Sequence, residues 1–177
     1  LFARPTCINN VESLSIVPHL LHNAAPYMEA GTDDSIGTKM VSVGGNVNKP
    51  GAYEVPFGIT VRDIIYGLAG GIQDGREIRL IQFGGASGKI SDDRILDMPY
   101  TYESFAKNNL IIGSGSVLVV DERTSAIDFL RYTQDFFVHE SCGQCTPCRE
   151  GNRHIRLLLD KIKNGTCTCE DIKTMKT

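Results

Sequence analysis

Residues 39–71 read KMVSVGGNVNKPGAYEVPFGITVRDIIYGLAGG, and this stretch decides the fold of the first part of the chain. Val41, Val43 and Val47 alternate with smaller or polar residues, as a half-buried strand requires. Asn48-Lys49-Pro50-Gly51 predicts a type II turn, with proline and glycine at its two centres. Tyr53, Val55 and Phe57 resume the alternation, so residues 39–57 read as a β-hairpin. Thr60 is placed to cap the next helix, with Asp63 three residues on as a capping-box variant. Val61, Ile64, Ile65 and Leu68 form its apolar stripe, and Gly70-Gly71 ends it.

Downstream, Ile78 to Phe83 is the next strand. Gly84-Gly85 and Ser87-Gly88 follow it. They lack the spacing of a P-loop or dinucleotide fingerprint, so they read as a turn. Residues 89–108 mix polar and aromatic side chains and predict loops with short elements. Val117-Leu118-Val119-Val120 is a short buried strand, stopped by Asp121-Glu122. Hairpin, helix and further strands predict an α+β fold, with a small β-grasp (ubiquitin-like) domain over residues 39–122. Upstream, residues 1–38 form a lead-in segment. Asn10 caps a helix that carries Val11, Leu14, Val17 and Leu21 on one side, and Pro18 predicts a kink or a split in it. Cys7 reads as a small, partly buried residue.

From Thr124 the period becomes helical: Ala126, Ile127, Phe129, Leu130, Thr133, Phe136 and Phe137, with Thr124 or Ser125 as cap. Residues 123–177 therefore predict a helical unit. Its second helix is capped by Thr146, has Pro147 at its first position, and carries a stripe of Ile155, Leu158, Leu159 and Ile162. Lys161 and Lys163 suit the dipole at its end, and Asn164-Gly165 terminates it. Thr168, with Asp171 three on, opens a third helix that the chain end truncates. Between the first two helices lies His139-Glu140-Ser141-Cys142-Gly143-Gln144-Cys145-Thr146-Pro147-Cys148-Arg149-Glu150-Gly151.

Three cysteines at C-x2-C-x2-C spacing can bring three thiolates from one tight loop to one metal centre. Four ligands are the normal requirement for a 4Fe–4S cluster or a structural zinc. The common ferredoxin run places its fourth cysteine where this chain has Asn152, so the fourth donor must come from elsewhere. Cys167 and Cys169 are candidates, which keeps a zinc knot open beside the favoured iron–sulfur centre. Cys148 falls in the first turn of a helix, where the dipole favours negative charge, and Arg149 adds to it. His139 reads as a hydrogen-bonding group rather than a ligand. Thiol–disulfide catalysis has no βαβ scaffold to support it.

A formal net charge of -3 offers no electrostatic footprint for nucleic acid. No apolar run approaches membrane-spanning length, so direct membrane insertion is not expected. Three of the six cysteines lie within seven residues, which favours metal ligation in a reducing compartment over a disulfide framework. The chain opens on Leu1 and stops soon after a helix start, and it reads as a piece of a longer protein.

Residues 140–151 closely resemble the cluster motif of the NADH-binding flavoprotein subunit of respiratory complex I. The same module occurs in NAD(P)-linked iron hydrogenases and NAD-dependent formate dehydrogenases. Two further stretches are similar to that family. One is Arg4-Pro5-Thr6-Cys7-Ile8-Asn9-Asn10-Val11-Glu12-Ser13-Leu14. The other runs from Gly44-Gly45-Asn46-Val47 through Pro50-Gly51 to Tyr53-Glu54-Val55-Pro56-Phe57-Gly58, as at the start of its soluble-ligand-binding β-grasp domain. The resemblance implies an NAD(P)H-oxidising protein whose upstream domain, missing here, binds FMN and NADH. It implies Cys142, Cys145 and Cys148 as ligands of a 4Fe–4S cluster, with the fourth cysteine beyond Thr177. It implies Asn9 and Asn10 at the FMN site of the intact protein. It further implies a cytoplasmic, multi-subunit oxidoreductase with a 2Fe–2S subunit and an iron–sulfur acceptor subunit as partners, lying at the inner face of the membrane in the respiratory version. The alternative is a ligand- or partner-binding β-grasp module with a structural zinc.

Overall fold

The structure is a computed structural model and describes residues 1–174. Five strands form one mixed sheet in the order β2-β1-β5-β3-β4. They are β1 (Thr38–Gly45), β2 (Gly51–Pro56), β3 (Ile78–Phe83), β4 (Lys89–Ser91) and β5 (Ser116–Asp121). β1 pairs antiparallel with β2 and parallel with β5, and β3 runs antiparallel to both β5 and β4. This is the expected β-grasp: a hairpin, a crossing helical segment, and a last strand inserted beside the first. The alternation read from the sequence holds, since Val41, Val43 and Val55 are buried on one face.

The helical segment after Thr60 is wound wider than an α-helix. Over Asp63–Leu68 it is a π-helix, and the Ala69 N–H donates to the Ile64 carbonyl five residues back. Its start is as predicted: Thr60 Oγ1 accepts from the Asp63 N–H at 3.0 Å and donates to its carboxylate at 2.7 Å. Its end is also as predicted, because Gly70 and Gly71 both take positive φ. Ile64 and Ile65 point into the core between the strands.

Two expectations change. Gly51 is an ordinary extended residue at the start of β2, so no type II turn closes the hairpin. Residues 46–50 instead dock on the end of the π-helix, where Asn48 and Lys49 donate to the carbonyls of Gly71 and Ala69. Of the two readings of Pro18, a kink or a split, the split does not occur: α1 (Val11–His22) is one continuous helix. Residues 89–108 hold the short elements expected of them, β4 and a 3-10 turn at Asp93–Ile95 among them. After β4 they form α3 (Tyr102–Lys107), and Tyr100 and Phe105 stack edge-on at 5.0 Å inside the core. α2 (Ala25–Met28) is a single turn that leads into β1.

The first helix of the lead-in segment meets the sheet through a partly buried pair. Glu12 on α1 forms an ion pair with Lys39 and accepts from the Met40 N–H at 2.7 Å. Burial opposes its ionisation, but the Lys39 and Met40 hydrogen bonds hold its pKa below the usual carboxylate range. The apolar side of α1 is otherwise uncovered: Val11 is 80% and Leu21 84% exposed. Past the sheet, α4 (Ala126–Glu140) lays Phe129 against Leu80 and Val120 on the face opposite the main core. α5 (Thr146–Lys163) returns antiparallel to α4, and α6 (Cys169–Thr174) follows.

Two glycines make opposite predictions. A Cβ at Gly45, where φ is +88°, would lie 2.0 Å from the Val119 carbonyl oxygen across the parallel pair. Gly45→Ala should cost more than about 2 kcal/mol from left-handed strain and collision together. Gly151 lies inside α5 with nothing within 4 Å of a Cβ, so Gly151→Ala should stabilise by about 0.4–1 kcal/mol. Urea unfolding of the two variants checks the signs.

Candidate metal centre

The cysteine loop is held by the two helices it joins, and those helices are laced together by polar groups. Arg131 lies 2.7 Å from Asp160, Lys163 lies 2.5 Å from Asp128, and Arg156 pairs with both Asp135 and Asp160. Hydrogen bonds from Arg156 and then Arg131 keep the Asp160 carboxyl below the usual range. Each pair is partly exposed and worth little alone. Together they fix the antiparallel register, and the buried Leu158 and Leu159 supply apolar contact.

α4 ends at Ser141, whose N–H donates to the Phe137 carbonyl. Gly143 turns the chain with φ +75°. Arg149 reaches back across the loop, donating to the Gly143 carbonyl at 2.6 Å and to Thr146 Oγ1 at 3.4 Å. Its Nε donates to Glu150, and that bond holds the Glu150 carboxyl below its usual pKa. The cap differs from the expected one. Cys145 takes the N-cap position, Thr146 opens the helix, and Pro147 and Cys148 complete its first turn. No side-chain oxygen among the described residues caps α5, and its first turn carries no acid. The N–H groups of Thr146 and Cys148 therefore remain available to a negative group.

Cys142, Cys145 and Cys148 are all exposed free thiols. Cys148 Sγ lies 3.4 Å from Ser141 Oγ and 3.4 Å from the Asn152 amide nitrogen. Among the described residues no three His, Cys, Asp or Glu side chains are gathered closely enough to hold a metal ion. For one centre to take all three thiols, Cys142 and Cys145 would have to draw in around Cys148, with Gly143 as the pivot between them. The donor set fits an iron–sulfur cluster in its chemistry: three free thiols on one exposed loop, at an uncapped helix mouth beside an arginine.

Cys167 and Cys169 are elsewhere. α5 spans 18 residues, about 27 Å, and separates them from the loop. The Lys161 ammonium, 2.7 Å from Asp171, pins the start of α6 to the last turn of α5 and helps hold the Asp171 carboxyl at a pKa of about 2. A knot that joins these two thiols to the triad is not what this fold builds. His139 points to solvent. At the other end of the chain, Asn10 caps α1, its Oδ1 accepting from the Glu12 N–H at 2.8 Å. Asn9 beside it is exposed. Sequence reasoning missed Gln134. A polar residue one turn after Leu130, on the stripe that faces the core, was the available signal.

Two family models match the chain. Residues 128–177 match the NADH-ubiquinone oxidoreductase-F iron-sulfur binding region, and residues 40–91 match the SLBB domain. The NADP-reducing hydrogenase subunit HndC of Solidesulfovibrio fructosivorans is 37% identical over 98% of this chain and 36% of its own length. The F subunit of NADH-quinone oxidoreductase from Escherichia coli is 36% identical over 99% of this chain and 40% of its own length. A crystal structure of an NAD+-reducing nickel–iron hydrogenase in the H2-reduced state superposes with a TM-score of 0.82. It is 34% identical and covers 98% of this chain and 29% of the matched one. The chain thus spans about two fifths of the length of these curated relatives. No helix among the described residues is long and apolar enough to cross a membrane.

The pivot can be tested. Gly143→Ala puts a side chain on a left-handed residue, at about 1–2 kcal/mol. In the complete polypeptide it should lower bound iron per chain, measured colorimetrically, while the thermal unfolding of the sheet stays where it was.

Proposed function

We propose, because this chain belongs to the family of the NADH-quinone oxidoreductase F subunit and its hydrogenase counterparts, that it is the electron-output part of an NAD(P)H-oxidising flavoprotein subunit. The observation that carries this reading is the exposed C-x2-C-x2-C loop at the uncapped mouth of α5, inside the matched iron–sulfur region. Cys142, Cys145 and Cys148 supply three thiolates to a 4Fe–4S cluster, and a fourth cysteine comes from a part of the complete polypeptide outside residues 1–177. Bound there, the cluster supplies one-electron transfer.

The chain's own residues make that place suitable. Asn152 presents an N–H to the Cys148 sulfur, and the Ser141 hydroxyl, 3.4 Å from it, is placed to donate once that sulfur is a thiolate. The free N–H groups of the first turn and the Arg149 guanidinium favour the added negative charge of reduction. At the far end, Asn9 and Asn10 face FMN in the intact protein, at the N-terminus of α1. The exposed apolar side of α1 suits packing against the flavin- and NAD(P)H-binding part of the polypeptide. The whole protein is then an NADH dehydrogenase or NAD(P)-reducing hydrogenase subunit on the cytoplasmic side. It delivers electrons to partner subunits that include a 2Fe–2S protein and an iron–sulfur acceptor.

Anaerobic purification of the complete polypeptide tests the reading. About four cluster irons per chain and a reducible EPR signal are expected, with both lost in Cys148→Ser. One equivalent of zinc, no iron and no signal would instead support a structural metal in a β-grasp binding module.

A further inference from the structure

The geometry points to Asn152 as a positioning residue that sets the reduction potential of the centre, by an N–H···S bond to Cys148 whose direction is fixed by buried Gln134. This inference rests on the iron–sulfur reading above. Asn152 stands where the common ferredoxin run would place a fourth cysteine, and it lies one helical turn after Cys148. Its amide nitrogen is 3.4 Å from Cys148 Sγ. On its other side is Gln134 of α4, only 8% exposed. Gln134 Nε2 donates both to the Asn152 backbone carbonyl at 3.0 Å and to Asn152 Oδ1 at 2.9 Å.

That pair of bonds leaves one orientation for each amide. The Asn152 backbone carbonyl can only accept, so the Gln134 atom facing it must be the nitrogen. The Asn152 atom that meets the same nitrogen must then be its oxygen. The Asn152 nitrogen is thereby turned toward the sulfur and presents a donor to it. Once Cys148 is a thiolate ligand, its sulfur can only accept. Adding an electron to the centre places more negative charge on that sulfur and strengthens the bond. Hydrogen bonds to ligand sulfurs are among the determinants of cluster potential, and a donor stabilises the reduced state. The Asn152 bond therefore raises the potential, and Gln134 keeps it from turning away.

The test uses the complete polypeptide, purified anaerobically with its cluster, and reads the midpoint potential by EPR-monitored redox titration. Asn152→Leu should keep its iron content and lower the potential. At the parent's midpoint the reduced-to-oxidised ratio should fall about tenfold, which is about 59 mV for one electron. An exchangeable-proton coupling seen in D2O by electron–nuclear double resonance should weaken with it. If Asn152→Leu loses the cluster, Gln134→Met decides, with a fall in the same direction expected as Asn152 loses its anchor. Equal potentials in parent and cluster-bearing variant overturn the inference and leave the iron–sulfur reading intact. An iron-free parent overturns both.

Discussion

Strand β5 must be buried on both of its faces, and the rest of the structure follows from that constraint. Val117 and Val119 turn into the main core with Val41, Val43 and Ile81. Leu118 and Val120 turn the other way, where Leu80 and Phe129 cover them. A strand of this kind reads as a continuous apolar run rather than an alternation. It lies between β1 and β3 with its ladder satisfied on both edges. Because its second face needs a cover, α4 is pressed onto the sheet at Phe129. Because α4 is fixed, α5 and the cysteine loop are fixed with it.

This arrangement separates rigidity from chemistry. The sheet and the π-helical segment form the close-packed part, in which Ile64, Ile65, Phe83 and Tyr100 are fully enclosed. The loop joins two helices that are laced by ion pairs on partly exposed side chains, with Leu158 and Leu159 buried beside them. Such pairs set register without contributing much stability.

The sequence was legible wherever a local rule dominated. Thr60 with Asp63, Gly70-Gly71, Ser125 as the α4 cap and the two strands of the hairpin all behave as their neighbours in sequence require. What was not legible depended on residues far away. Tyr100 and Phe105 belong to the core, yet residues 89–108 carry no period, because that segment wraps the core rather than running through it. Gly51 departs from its local signal because the link from β1 to β2 is shaped by the end of the π-helix, not by its own proline. Of the site, the three cysteines were plain from spacing. The Gln134–Asn152–Cys148 line was not, since it joins residues on two helices.

The length of α5 also partitions the sulfur chemistry. A disulfide needs its two Cα atoms within about 7 Å. Cys148 near the start of the helix and Cys167 beyond its end are held too far apart for that. When air reaches the bare chain, that distance bars a bond between Cys148 and Cys167. Any bond within the triad strands one odd thiol there, exposed and free to link two molecules. Oxidative dimers linked through the loop are one form that damage to this protein should take.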